Sequence, residues 1–482
     1  MAVASASGRV PPHDLDAESA VLSALLLERD ALDRVQELVK ADFFYSPANR
    51  RIYEACLALT QEGSPIDVVT VGGWLKSRER LAEVGGVPYL ATIVDSVPSV
   101  ANLEAYARIV REKWRVRTLI ATCQRVAAEA YGDVGMVQSF IDTAEQAVYE
   151  IARTPESSTV QPIKDIIVSA FKKLQEAGSR GDRITGLSTG FPMIDELTSG
   201  LHEGDLNIVA ARPGMGKTSF VLNLAVNVAA PAIVQGEDGD AGAQERPGAG
   251  VVFFSLEMPR EQIATRMVCS EAQVDVGLVR KGLLRGDDWS KLTQAAAFLS
   301  QIPIWVDDTS AISLLDVRSK VRRIQAELQR STPAGQPERK LGLVVIDYLQ
   351  LMKGRDGAQS REQEISEISR GLKQLAKELR VPVIALSQLN RAVETRSEKN
   401  KRPQLSDLRE SGAIEQDADM IVFIYRDEYY NRDTTTMKGI AEIIVAKQRN
   451  GPTGKVPVRF IGSCTRFDNL EPGDVPEGFH DD

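Results

Sequence analysis

Along this 482-residue chain the spacing of apolar positions changes character once, between two halves joined by a polar stretch. From Asp14 to about Arg153 apolar residues recur every three to four positions, the repeat of one helix face. Asp14 or Asp16 can cap the first helix, where Val21, Leu22, Leu25, Leu26 and Leu32 make the apolar side. Further helices are predicted around 47–62 and 67–80, then two longer ones at 101–130 and 136–152. Leu103, Tyr106, Ile109, Val110, Trp114, Leu119 and Ile120 trace a stripe on the first long helix, and Val137, Phe140, Ile141, Ala144, Val148 and Ile151 trace one on the second. With Gly132 and Gly135 between them, the pair reads as a helical hairpin. Its stripes serve either an internal two-helix core or a hairpin from another subunit, and the pattern favours neither.

Residues 154–185 form the joint. Thr-Pro-Glu-Ser-Ser-Thr at 154–159 is linker composition, and 163–177 reads as one amphipathic helix with Ile166, Ile167, Ala170, Phe171 and Leu174 apolar. A lone helix between linkers has to bury that face somewhere, and a neighbouring subunit is one place. From 186 onward short apolar strands alternate with helices. Strands are predicted at 206–211, 251–256, 302–306, 342–346, 382–387, 420–425, 440–446 and 456–461. The first five alternate with helices, which implies a mainly parallel sheet covered on both faces, and the last three suggest an antiparallel edge. The expected organisation is a helical domain over 1–153, a linker with a docking helix over 154–185, and an α/β domain over 186–482. Residues 1–13, the insertions 229–250 and 331–339, and the acidic tail from Glu471 read as exposed and loose.

Composition narrows the classes. Hydrophobic residues make up 43% and charged ones 26%, which is globular, and no apolar run approaches the roughly 20 residues of a membrane span. The small, polar N-terminus lacks the apolar core of a signal peptide, so a cytoplasmic protein without membrane contact is expected. The cysteines (Cys56, Cys123, Cys269, Cys464) form no C-x-x-C pair and the histidines (His13, His202, His480) are scattered, so neither a zinc site nor a disulfide framework is expected. A net charge of −9 argues against wrapping duplex DNA on a broad basic face but allows a narrow channel lined by a few basic loops.

The chemistry concentrates at 206–219, Leu-Asn-Ile-Val-Ala-Ala-Arg-Pro-Gly-Met-Gly-Lys-Thr-Ser: an apolar strand, a glycine-bearing turn, a Lys-Thr pair, then a helix. Gly214 and Gly216 let backbone N–H groups curl around an anion with no Cβ in the way. Lys217 suits the β- and γ-phosphates, Thr218 offers a hydroxyl to Mg²⁺, and the helix start adds unpaired N–H groups. The motif departs from G-x-x-x-x-G-K-[ST] only at Ala211, and the nucleotide-contacting candidates are Arg212, Gly214, Gly216, Lys217, Thr218 and Ser219.

Other polar residues follow strand after strand at the edge where parallel sheets bind ligands. Asp347 follows Leu-Val-Val-Ile and fits the acid that holds Mg²⁺ with Thr218; Glu257 fits the group that polarises the attacking water. Gln388 is either a γ-phosphate sensor or a surface hydrogen-bonding group, and Asp307 and Asp308 read as structural. Lys447 and Arg449 precede a Gly-Pro turn and are either solvated loop charges or cations offered to a phosphate on another subunit. The loop 402–412, with Arg409 and Gly412 close together, suits a sugar–phosphate strand gripped without base reading, and a second loop, 353–361, ends in Arg361. Neither carries the aromatic platform of a static single-strand binder.

At this point the chain resembles the DnaB family of bacterial replicative helicases over nearly its whole length. The resemblance rests on the opening Pro-His-Asp-Leu-Asp-Ala-Glu-Ser-Ala-Val-Leu, on Ala-Arg-Pro-Gly-Met-Gly-Lys-Thr, and on Ser-Leu-Glu-Met and Val-Ile-Asp-Tyr-Leu-Gln-Leu. It extends through Leu-Ser-Gln-Leu-Asn-Arg, Asp-Leu-Arg-Glu-Ser-Gly-Ala-Ile-Glu-Gln-Asp-Ala-Asp and Ala-Lys-Gln-Arg-Asn-Gly. It implies a RecA-like P-loop ATPase domain behind an all-α N-terminal collar, in a ring-shaped homohexamer that uses ATP and Mg²⁺. It further implies catalytic roles for Lys217, Glu257, Asp347 and Gln388, with Lys447 and Arg449 reaching a neighbour's site. Single-stranded DNA would lie on Arg409, Glu410 and Gly412, with 5′→3′ translocation and primase, a helicase loader and replisome components as partners. The 229–250 insertion is the main departure. A RecA-like recombination or repair ATPase that coats DNA as a filament is the rival reading, and the helical N-terminal domain with its linker helix favours the ring.

Overall fold

The computed structural model describes residues 10–28, 30–95, 102–135, 137–152, 184–234, 244–331, 339–354, 360–394 and 401–471, with a few residues between 163 and 171, Arg396 and Phe479. Most of the expected docking helix at 163–177, the tip of the first insertion, most of the second, and most of both chain ends lie outside these residues. Chain contacts divide the protein into two compact units, Met1–Ala170 and Phe171–Asp482.

The first unit is helical: α1 (Leu15–Leu27), α2 (Ala31–Val35), α3 (Pro47–Gln61), α4 (Val68–Ser77), α5 (Gly86–Asp95), α6 (Leu103–Ala130) and α7 (Val137–Ala152). Asp14 caps α1 by accepting the Ala17 N–H at 2.9 Å, and Val21, Leu22 and Leu25 of that helix enter the core with Ile52, Tyr53, Leu75 and Leu90. Glu18 is buried in the same helix, where its carboxylate accepts from the Tyr45 N–H at 2.6 Å and from the Asn49 amide at 3.0 Å. These partners offset the desolvation of a buried charge. Helix α5 is an addition to the elements read from sequence; Gly85 and Gly86 at its start, both at positive φ, hide its pattern. The long hairpin changes along its length. Leu103 and Val110 are buried in the core, whereas Leu119 (38% exposed), Ile120 (40%), Val137 (61%) and Ile141 (49%) are open.

The second unit is built on a nine-stranded sheet. Its elements run α8 (Pro192–Thr198), β1 (Leu206–Ala211), α9 (Lys217–Ala229), β2 (Ala232–Val234), β3 (Gln244–Arg246), β4 (Gly250–Ser255), α10 (Arg260–Ala272), α11 (Val276–Lys281), α12 (Gly286–Leu299), β5 (Ile304–Asp307), α13 (Leu314–Ser331) and β6 (Leu341–Asp347). They continue with α14 (Arg361–Leu379), β7 (Val383–Gln388), α15 (Gly412–Asp417), β8 (Met420–Tyr425), α16 (Asp427–Tyr430), β9 (Ile440–Gln448), β10 (Gly454–Ile461) and β11 (Arg466–Asp468). The order across the sheet is β11-β10-β9-β8-β1-β7-β6-β4-β5. From β8 to β5 the strands are parallel; β9, β10 and β11 are antiparallel. One apolar core on each face covers the sheet, with α9 and α10 on one side and α13 and α14 on the other, which explains why β1, β4 and β8 are buried at every position.

Three sequence expectations change. The strand at 420–425 belongs to the parallel part, because β8 pairs in parallel with β1; the antiparallel edge begins only at β9. The edge gains β11, too short at three residues to show a period. The 229–250 insertion is not loop throughout: Ala232-Ile-Val pairs antiparallel with Gln244-Glu-Arg in a two-stranded ribbon, as its β-branched residues favour.

Candidate functional site

The phosphate loop lies beyond the carboxyl end of β1, the strand flanked by β7 and β8. Gly214 (φ +82°) and Gly216 (φ +96°) occupy the left-handed region, where a side chain is strained. Both also face aromatic rings: a Cβ on Gly214 would meet the Tyr429 ring at 3.0 Å, and one on Gly216 would meet Phe467 at 2.9 Å. Gly216 is the N-cap of α9 and supplies no side-chain cap, so the first-turn N–H groups of that helix face the loop without a side-chain partner from the cap.

Register assembles the remaining candidates at this edge. Ala211 pairs with Gln388 at the end of β7, and Ser255 at the end of β4 pairs with Asp347 at the end of β6. The Thr218 hydroxyl donates to Asp347 Oδ2 at 2.7 Å, while Lys217 Nζ stands 3.9 Å from Asp347 Oδ1 and 4.7 Å from the centre of the Tyr348 ring. Asp347 is fully buried, and its Oδ1 has no hydrogen-bond partner among the described residues. Burial pushes the Asp347 carboxyl above its usual range; the Lys217 charge and the Thr218 hydrogen bond oppose the shift and the Glu257 charge adds to it. Burial likewise holds the Lys217 ammonium below its usual range against the pull of Asp347 and Glu257. A half-buried lysine, a buried carboxylate with an orphaned oxygen and a hydroxyl beside it are the donor set that a divalent cation with bound phosphate completes. Glu257 and Gln388 are exposed at the mouth, open to a small molecule.

Two arginines belong here that the sequence reading passed over. Arg266, on α10, is close enough for the charges of Asp347 and Glu257 to act on it, and it lines a hollow with Ser219 and Asn223 of α9. Arg426 donates to the Gly214 carbonyl at 3.2 Å and stacks on Phe460 at 3.9 Å. Arg426 is 212 residues from Gly214, and no local signal announces a contact over that separation.

Other candidates take different places. Arg212 is buried and engaged by Glu394 (3.0 and 2.7 Å) and the Leu389 carbonyl (2.7 Å), where the sequence assigned it to the nucleotide. Arg361 opens α14 and holds Glu364 and the Gln350 carbonyl. Arg409 and Glu410 lie on the 3₁₀ segment Leu405–Ser411, which runs directly into Gly412, the exposed first residue of α15.

Lys447 and Arg449 stand at the opposite edge of the sheet. Strand β9 runs antiparallel to β8, so Lys447 pairs with Ile421, itself level with Ile208 of β1, and the Arg449 N–H donates to the Asp419 carbonyl at 2.9 Å. Asp419 in turn donates its N–H to Leu206, which sits five residues before Ala211, so Arg449 is about 17 Å along the strand direction from the phosphate loop. Lys447 Nζ donates to the carbonyls of Glu415 and, at 2.8 Å, Ala418; the Arg449 guanidinium donates to the Gln416 carbonyl at 2.7 Å. Both cations thus close the carboxyl end of the helix that Gly412 opens.

Comparison with known proteins identifies the family. Residues 186–469 match the DnaB-like helicase C terminal domain, and residues 10–112 match the DnaB-like helicase N terminal domain. The chain is 44% identical to the replicative DNA helicase DnaB of Geobacillus stearothermophilus, over 96% of each chain. It is 40% identical to that of Leifsonia xyli, over 96% of this chain and 95% of the relative. Among solved structures, a DnaB-like replicative helicase described with its primase interactions superposes with a TM-score of 0.73 at 32% identity, covering 95% of this chain and 100% of that one. By sequence and by fold, the chain belongs to the DnaB-like helicase family of replicative DNA helicases.

Proposed function

We propose that this helicase hydrolyses ATP with Mg²⁺ at the seam between subunits of a homohexameric ring, and so draws one DNA strand 5′→3′ through the centre. The observation that carries this reading is the split between the two sheet edges. Lys217, Thr218 and Asp347 gather around the phosphate loop, while Lys447 and Arg449 stand about 17 Å away along the strands, where only another subunit's nucleotide is in reach.

In this reading Lys217 binds the β- and γ-phosphates, and Thr218 and Asp347 hold Mg²⁺ through the orphaned Oδ1. When bound there, Mg²⁺ would supply charge neutralisation to the transferred phosphoryl group. Glu257 orients the attacking water, Arg266 balances the two carboxylates, and Gln388 senses the γ-phosphate. Arg409, Glu410 and Gly412 form the loop on single-stranded DNA, with Arg361 at the margin. The functional divisions are 1–153, 154–185 and 186–482. The helical first division makes a collar that meets primase, its open hairpin stripe serves a neighbouring hairpin, and a loader and other replisome proteins act on the assembled ring. The protein works in the cytoplasm; no described helix is long and apolar enough to cross a membrane.

The test is unwinding of a forked duplex with Mg-ATP, alongside particle mass. A hexamer that opens forks with a free 5′ arm supports the reading. Monomers or open filaments without unwinding would overturn it in favour of a filament-forming ATPase.

A further inference from the structure

Arg212 opens the phosphate loop, yet its side chain, 7% exposed, faces a different partner. Its Nη1 donates to the Leu389 carbonyl at 2.7 Å, and Nε and Nη2 both donate to Glu394 Oε1, at 3.0 and 2.7 Å. The Leu389 N–H returns to the Ala211 carbonyl at 3.3 Å. The residue directly after Gln388 is thereby stitched to the start of the phosphate loop from both sides of its backbone.

The same stretch is tied onward. The Asn390 N–H donates to the Asp407 carbonyl at 3.1 Å, and the Arg396 guanidinium forks onto the Asp407 carboxylate, with Nη1 at 3.0 Å from Oδ2. Asp407 is 3% exposed; it also accepts the Gln404 N–H at 2.7 Å and so fixes the start of the segment Leu405–Ser411 that leads to Gly412. Val393, fully buried, pins the middle of the stretch in the core. Phosphate loop, sensor strand and strand-gripping loop are thus joined by two sets of polar contacts that the short backbone stretch after Leu389 connects.

We infer that Arg212 and Glu394 are positioning residues that couple occupancy of the phosphate site to the grip on DNA, with Arg396 and Asp407 as the far end of the same strut. The inference deepens the function proposed above and rests on its assignments of Gln388 and the 405–412 loop. A sensor glutamine transmits nothing if the backbone beyond it yields. Holding the Leu389 carbonyl against the phosphate loop makes that loop the fixed point, so a displacement at Gln388 passes to Asp407. Allosteric couplings of this kind amount to about 5- to 150-fold in affinity.

The test is a double-mutant cycle on the full-length protein with Glu394→Gln and Arg396→Gln, which lie outside the nucleotide and DNA contacts proposed above. Three quantities are read: Mg-ATP turnover without DNA, its stimulation by oligo(dT), and oligo(dT) affinity with and without a non-hydrolysable ATP analogue. The expected result is DNA-free turnover within about two-fold of wild type, with stimulation and the nucleotide dependence of DNA affinity each reduced about 5-fold or more. The double variant should be no worse than either single one. A merely structural role would lower DNA-free turnover and leave the nucleotide dependence of DNA affinity in place. Wild-type stimulation and linkage in both single variants, or fully additive losses in the double, would overturn the strut. A wild-type protein that fails to bind oligo(dT) would instead remove the loop assignment and the strut with it.

Discussion

Arg449 pairs with Asp419, guanidinium to carboxylate at 3.3 Å, at the strand ends opposite those that lead to Lys217 of the same chain. The same guanidinium holds the Gln416 carbonyl, so reaching a neighbour's nucleotide means releasing the end of the helix that begins at Gly412. Arg449→Ala should lower turnover by about 10³-fold or more, the range of arginine fingers. Glu257→Ala should be comparably inactive alone. Mixed rings of the two variants should recover part of the activity, because some seams pair an intact Glu257 with an intact Arg449. Hydrolysis measured across mixing ratios checks this, and no recovery at any ratio would place Arg449 outside a neighbour's site.

Asp347 gives a second prediction. Asp347→Asn keeps the shape and one acceptor for Thr218 but removes the charge beside Lys217 and the orphaned oxygen. Turnover should fall at least about 10²-fold, as for loss of one preorganised electrostatic contact. Nucleotide affinity, titrated with and without Mg²⁺, should also lose its metal dependence. Lys217→Ala should abolish DNA-stimulated turnover altogether, and normal turnover in that variant would relocate the nucleotide.

Gly216→Ala should be far more damaging than its size suggests. The left-handed backbone costs an alanine about 1–2 kcal/mol, and the new Cβ would lie 2.9 Å from Phe467. Because Phe467 packs against Phe220 on α9, the loop cannot relax without moving the helix it precedes. The expected outcome is a lower melting temperature and loss of nucleotide binding together. Retained nucleotide affinity at wild-type stability would contradict this account of the turn.

The cysteines give a prediction about pH. Burial pushes the Cys56 thiol up to about 12, with Cys269 and Cys464 also raised, while Cys123 is exposed. Under native conditions near pH 8 an alkylating reagent should therefore modify Cys123 alone, read by mass spectrometry of peptides. In the unfolded chain Cys56 would ionise near 8.5, so the native state binds the extra proton and stability should fall as pH rises from about 8.5 towards 12. Cys56→Ala should remove that part of the alkaline slope.

Much of the motor was legible in sequence because its signals are local. The central strands β4, β6, β7 and β8 are mainly apolar runs, with polar residues at or just after the carboxyl ends of β4, β6 and β7, and the glycine turn, Lys217 and Thr218 follow one another directly. The Thr218–Asp347 contact was inferable as well, since Asp347 ends β6 and Thr218 follows β1 through the glycine turn, both at the carboxyl edge of one sheet. Arg212 shows where such reasoning stops: its neighbours in sequence suggest a phosphate contact, and Glu394, 182 residues away, claims it. The small ribbon at β2 and β3 and the helix α5 were hidden for a local reason, because three-residue strands and glycine-led helices carry almost no period.

The residues alone determined a helical first half, a parallel α/β second half and a phosphate loop, since periodicity and turn chemistry act over a few neighbouring positions. Only the tertiary structure decided that β8 joins the parallel strands, that Lys447 and Arg449 lie at the far edge, and that Arg266 and Arg426 border the site. Strand order and register join residues hundreds of positions apart, and those pairings are set by which faces can be buried together.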